Sequence, residues 1–185
     1  MGGFGSTRWG SHSKRTTVEE ARSLDLVELA RARCFVPWYS GRTTWSRGDK
    51  QTAAIAFTVR PENDGLVLVL RYVWTPWGAK EGKDVELPVH LEQQPMRFGG
   101  IRWWGRCPLQ TNGCPCNRRV GKLYSPSGAA YFGCRVCHGL TYQSAQEHDK
   151  RVDVLRRNPE ALSHIMDNLR GASSRDLLLA LKATR

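Results

Sequence analysis

The chain has 185 residues, room for one medium domain or a small domain with appendages, and carries 28 Lys and Arg against 17 Asp and Glu, a formal net charge of +11. Its apolar share of 40% is below the usual range, and the longest apolar runs, Leu66–Leu70 among them, are far short of the roughly 20 residues of a membrane span. The Met1–Gly5 start has no apolar core, so integral-membrane and secreted proteins are excluded on this reading, and a cytoplasmic setting with a polyanionic partner is expected.

Residues 1–15 are rich in Gly and Ser around Arg8, Trp9, Lys14 and Arg15, and read as a basic flexible tail. Thr17-Val18-Glu19-Glu20 has the form of a capping box, followed by an apolar face of Leu24, Leu26, Val27, Leu29 and Ala30. That pattern predicts an N-terminal helix within 16–36, broken near Asp25, with Cys34 as a buried structural thiol beside Phe35. From Thr43 the period becomes two. Strands are expected at 43–46, 51–60, 66–73 and 85–91, with turns at Arg47–Lys50, Pro61–Gly65 and Thr75–Lys83. The result is an antiparallel β-meander of about four strands over 43–100. Its centre, 51–92, holds four basic and six acidic residues and reads as scaffold. Residues 101–143 read as a zinc ribbon, and 144–185 as a C-terminal helical segment. There Ser144–Glu147 opens a helix to about Arg157, Asn158-Pro159-Glu160 starts a second ended by Gly171, and a third covers Asp176–Ala183. A helix–turn–helix around Gly171 is disfavoured, because Leu177-Leu178-Leu179-Ala180-Leu181 offers few side chains that read bases; packing or dimerisation suits it better. The expected fold class is α+β.

Five of the six cysteines, Cys107, Cys114, Cys116, Cys134 and Cys137, fall in one stretch. In a reducing compartment, paired cysteines flanking a short hairpin read as a zinc site, since tetrahedral zinc takes four soft ligands from two facing turns. Cys134-Arg135-Val136-Cys137 is the regular half. The other half is irregular, and Cys107, followed by Pro108, and Cys116, followed by Asn117-Arg118-Arg119, are the expected ligands. Cys114 is left as a spare or a substitute. Ser125-Pro126-Ser127-Gly128 joins Leu123-Tyr124 to Ala129–Phe132 in a hairpin between the metal turns. Two rival chemistries fit worse. Cys134-x-x-Cys137-His138 has the form of a haem c attachment site, but that needs export and leaves three cysteines unexplained. His90-Leu91-Glu92 ahead of the pair suggests a zinc deaminase, but Gly133 stands where that signature needs Pro, and His90 and Glu92 lie on the polar side of a strand.

No acidic residue occurs between Glu92 and Glu147, while Arg97, Arg102, Arg106, Arg118, Arg119, Lys122 and Arg135 all do. Trp103, Trp104, Tyr124, Tyr131 and Phe132 interleave with them. Arg102, Arg106, Arg118, Arg119, Lys122 and Arg135 are candidate phosphate contacts, and Trp104 and Tyr124 candidate stacking rings. Phe132 and one of the two tryptophans are expected in the core instead. The favoured function is therefore non-enzymatic binding of nucleic acid, DNA ahead of RNA, by shape and backbone. The alternative is an adaptor docking on an acidic protein such as a polymerase or defence-complex subunit. Catalysis is not expected, for want of a Ser-His-Asp set, a phosphate loop or paired carboxylates.

Arg102-Trp103-Trp104, Cys107-Pro108, the run Cys116–Tyr124 and the run Tyr131–Tyr142 resemble a family of uncharacterised bacterial zinc-ribbon proteins found in mobile or prophage-like regions. The likeness spans about residues 1–148, including the Gly-rich start and Thr17–Leu26. In that family the position of Cys114 is usually not cysteine, which implies Cys107 and Cys116 as ligands. The resemblance bears on the metal, one structural zinc per chain, more than on activity.

Overall fold

The computed structural model describes residues 15–62, 65–147, 150–168 and 173–183. The chain divides after Thr141 into two compact units. The first contains, in order, β1 (Arg22–Asp25), α1 (Leu26–Arg31), β2 (Ser40–Arg47), β3 (Lys50–Glu62), β4 (Gly65–Trp74), β5 (Lys83–Pro95), β6 (Ile101–Arg106), β7 (Gln110–Thr111), β8 (Cys114–Pro115), β9 (Arg119–Val120) and β10 (Lys122–Ser125). The second contains α2 (Gln143–Glu147), α3 (Lys150–Arg157), α4 (Pro159–Asp167) and α5 (Ser174–Ala183). The class is α+β, built on antiparallel pairing. The tail expected over 1–15 lies, except for Arg15, outside the described residues.

Six strands make the main sheet in the order β2-β3-β4-β5-β6-β9. Alternation is strictest on β5, where Val85, Leu87, Val89 and Leu91 are buried and Asp84, Glu86, Pro88 and His90 are exposed. Pro88 cannot donate to a ladder, and β6 pairs with β5 only from Leu91 onward, so β5 is an edge on that side at Pro88. The expected meander is the centre of this sheet, and β6 and β9 widen it. Ile101–Arg106 is thus a sheet strand paired to Leu91–Pro95 rather than the opening of a separate ribbon. Gly99 and Gly100, at φ of 86° and 84°, fold it back on β5.

One face of the sheet is the core. Ile55, Phe57, Val59, Leu68 and Leu70 cluster with the buried β5 residues and with Leu24, Leu26, Phe35, Leu123 and Phe132 from outside the sheet. Burying a side chain of this size is worth about 1.5–3 kcal/mol, so these five residues anchor the N-terminal and cysteine segments to the sheet. Phe132 stacks on Trp45 (ring centroids 5.9 Å apart) and meets Tyr72 edge-on at 5.6 Å. The Tyr72 hydroxyl donates to the Ala130 carbonyl at 2.7 Å, and burial pushes its pKa up to about 12, so it remains a donor.

The N-terminal helix expected over 16–36 is much shorter. The Glu20 carboxylate does accept the Thr17 amide, at 2.9 Å, but the box closes a turn. The chain then extends as β1, which pairs with β10 from Arg22↔Ser125 to Asp25↔Lys122. Strand pairing with a distant partner wins over local helix propensity there. The helix α1 starts where Asp25 accepts the amides of Val27 (2.9 Å) and Glu28 (3.2 Å). It ends in a Schellman arrangement, with Arg33 at φ 57° and the Cys34 amide on the Leu29 carbonyl at 3.0 Å. Cys34 is buried at this end.

In the second unit the helix expected from Ser144 starts at Gln143 instead, with Ser144 inside it, and residues 148–149 lie outside the described residues. Asn158 caps α4 through Ala161 at 3.1 Å, as the Asn-Pro pair predicts. Ser173 and Asp176 cap α5 reciprocally. Arg156 donates to the carbonyls of Ala183 and Lys182, closing the other end of α5. The turn expected at Gly171 lies outside the described residues.

Candidate metal centre

Cys107 follows β6 directly, and its amide donates to the Arg118 carbonyl at 3.0 Å, which ties it to the start of β9. The irregular loop between Cys107 and Cys116 is a second small hairpin. The strands β7 and β8 pair Gln110 with Pro115 and Thr111 with Cys114 across Asn112-Gly113. Both turn residues have positive φ, 51° and 78°, as a two-residue turn of this hand requires, and Asn-Gly is the pair that tolerates it. The Cys116 amide closes the hairpin base on the Leu109 carbonyl at 2.9 Å. Cys114 therefore sits out on the hairpin and is exposed, while Cys116 stands at its foot.

The second pair lies in a tight turn. The amides of His138, Gly139 and Leu140 return to the carbonyls of Cys134, Val136 and Arg135, with Gly139 at φ 60°. This turn is fixed from both sides. Tyr124 on β10 exchanges two backbone bonds with Gly133, and Thr141 accepts from Val18 at 2.9 Å and donates to Thr16 at 3.2 Å. At Gly133 a Cβ would fall 2.1 Å from Leu109 Cδ1 and 3.0 Å from His138 Nε2, so a side chain there would displace Leu109 from between the two cysteine turns.

The sulfurs of Cys107, Cys116, Cys134 and Cys137 all lie within 4.8 Å of one another. Cys107 and Cys137 are 3.9 Å apart, and Cys116 and Cys134 3.8 Å. Four sulfurs about 2.3 Å from a tetrahedral ion are spaced by about 3.8 Å, so the cluster could hold a metal ion. Backbone amides point at the sulfurs as they do at thiolates: Cys134 N–H on Cys107 Sγ at 3.2 Å and Cys137 N–H on Cys134 Sγ at 3.3 Å. The Thr111 hydroxyl is 3.6 Å from Cys137 Sγ, and Arg118 Nη1 is 3.8 Å from Cys134 Sγ.

As thiols the members differ. Burial pushes Cys107 up to about 12 and also raises Cys137. Burial raises Cys134 too, but the amides of Cys137 and Val136 and the neighbouring thiols outweigh it and bring it to about 7. His138 is held below its ordinary pKa by burial, against the pull of the Tyr131 and Tyr124 carbonyls, and its Nε2 is buried with no hydrogen-bond partner among the described residues.

The expected nucleic-acid contacts scatter more than the sulfurs. Trp103 turns into the core against Phe35, with ring centroids 5.3 Å apart. One residue on, Trp104 takes the opposite face, its Nε1 donating to Gln94 at 2.8 Å and Arg102 lying over its ring at 4.1 Å. Arg106 and Arg119 oppose each other on β6 and β9 and share the Glu92 carboxylate. Lys122 pairs with Asp25 at 2.8 Å, and Tyr124 on β10 and Arg135 in the second cysteine turn are half-buried. The acid-free stretch of sequence is thus not an acid-free surface. Strand pairing brings in Glu92 from β5 and Asp25 from β1, two partners a linear charge count does not register. Thr111 was equally invisible, because its place depends on the hairpin turn.

No helix of the described residues is long and apolar enough to cross a membrane. Comparisons with protein-family models, curated proteins and solved structures find no match to this chain, so the reading of the site rests on its own geometry.

Proposed function

We propose that the protein is a non-enzymatic, zinc-stabilised nucleic-acid-binding protein, acting in the mobile-element or phage setting that its sequence resemblance implies. Four thiolates suit zinc, and they complete its tetrahedral shell, which leaves no position for a reactive water. The ion then contributes folding free energy by joining the turn after β6 to the turn after Phe132. The observation that carries the binding reading is the outward row along β6 and β9, with Arg102 stacked on Trp104 and Arg106 and Arg119 opposite each other nearer Cys107. An overall charge of +11 favours a polyanion at long range. Glu92 and Asp25 tie down three of the expected cations, which makes Arg102 and Trp104 the centre of the surface.

The test is equilibrium binding to unrelated nucleic-acid sequences as salt is varied. Affinity should fall steeply on a log–log plot, and Arg102→Glu should weaken binding to every sequence and shallow the slope by about one unit or more. Absence of binding at about 50 mM salt, with metal retained, would contradict the proposal and favour an adaptor for an acidic protein.

A further inference from the structure

The hairpin of β5 and β6 reaches beyond the sheet that carries it. Pairing of β4 with β5 runs only as far as Leu66↔Leu91, whereas β5 and β6 stay paired through Pro95↔Ile101. About 13 Å of two-stranded ribbon therefore extends past the paired end of β4. Its turn is ordered: the Met96 amide donates to the Gly100 carbonyl at 3.1 Å and the Gly99 amide to the Met96 carbonyl at 3.0 Å. On this turn Phe98 is 96% exposed, beside exposed Met96 and Ile101.

Two cation–ring pairs mark the hairpin. Arg97 lies over the Phe98 ring at 5.9 Å, and Arg102 over Trp104 at 4.1 Å. Among the described residues no carboxylate is paired with either arginine, and residues 93–106 contain no acid. The Phe98 ring leaves apolar area in water that a ligand can cover. The ligand chemistry that matches rings alternating with guanidinium groups is a chain of flat bases on an anionic backbone. In a duplex the base faces are stacked on each other and only their edges show, whereas a single strand offers both faces.

We propose that this hairpin is a stacking platform for single-stranded nucleic acid. Phe98 and the Arg102–Trp104 stack receive bases, and Arg97 and Arg102 meet phosphates. The inference rests on the nucleic-acid reading above and adds the class of ligand and two residues, Arg97 and Phe98.

The test uses the full zinc-loaded chain, a labelled oligothymidylate and a mixed-sequence duplex of equal length, with affinities read by fluorescence anisotropy at one salt concentration. The single strand should bind about 10-fold more tightly than the duplex. Phe98→Ala should weaken single-strand binding about 5-fold or more with the salt slope unchanged, since a stacked ring and no charge is lost, and Phe98→Trp should restore it. Phe98 is exposed, so melting temperature and zinc content should stay at the wild-type values in both variants. Equal affinity for the two probes, or a Phe98→Ala effect within about twofold, would overturn the platform while leaving nucleic-acid binding standing. Binding of neither probe would overturn both.

Discussion

Arg118 illustrates how the fold reassigns a side chain. Its position in a basic run suggests a phosphate contact, yet its guanidinium approaches Cys134 Sγ at 3.8 Å. Four thiolates around a divalent ion carry a net charge of −2, and a cation against one sulfur offsets part of it. Groups in this outer position commonly change metal affinity by about 10–100-fold. Arg118→Ala should therefore weaken zinc in a competitive chelator titration by about 10-fold, whereas Arg102→Ala, near the start of β6 and with no contact to a cysteine sulfur, should leave it unchanged. Equal effects of the two variants would mean that Arg118 does not act on the metal.

The short helix α1 depends on one residue that serves two elements. Asp25 is the last residue of β1, caps α1, and pairs with Lys122 on β10. Burial pushes its carboxyl upward, but the Lys122 ammonium and the amides of Glu28 and Val27 outweigh this and hold it below its ordinary value of 3.8. Asp25→Ala should cost about 1–2 kcal/mol, mostly from the lost cap, since the ion pair is half-exposed on the Lys122 side. A depressed carboxyl contributes stability above its unfolded pKa and loses it as pH falls through the folded one. The gap between wild type and Asp25→Asn should therefore be constant from about pH 5 to 8 and close below about pH 4. Urea melts across that range read it directly; a gap that widens in acid would reverse the assignment.

How far such elements were legible depends on where their stabilising partners lie in the chain. The strands β3 and β5 alternate because one face of each lies on the core, and β4 is an apolar run buried on both faces from Val67 to Leu70, so local patterns suffice for all three. Asn158 and the Asn112-Gly113 turn both act within a few residues, but the strands flanking the second are two residues each, too short to show a period. The helix expected over 16–36 failed for the opposite reason. Leu24 and Leu26 do face the core as a helical stripe would, but Arg22–Asp25 finds its hydrogen bonds nearly a hundred residues away on β10. Trp104 is the stacking ring expected from the sequence, and the register of β6 against β5 sets it opposite Glu92, with Trp103 opposite Gln93 and turned to the core.

Over the whole first unit, the cysteine segment is joined to the rest of the chain rather than standing as a module of its own. Strand β9 extends the main sheet, β10 pairs with β1, Thr141 pairs with Thr17, and Phe132 fills the core two residues before Cys134. Loss of the metal should therefore loosen the segment 107–141 and the N-terminal strand together. The identity of the four ligands is open to zinc-edge X-ray absorption on the purified chain. The spectrum should show close to one zinc per chain with about four sulfur neighbours near 2.3 Å, unchanged in Cys114→Ser and absent in Cys134→Ser. A shell containing nitrogen or oxygen, or loss of zinc on Cys114→Ser alone, would contradict it.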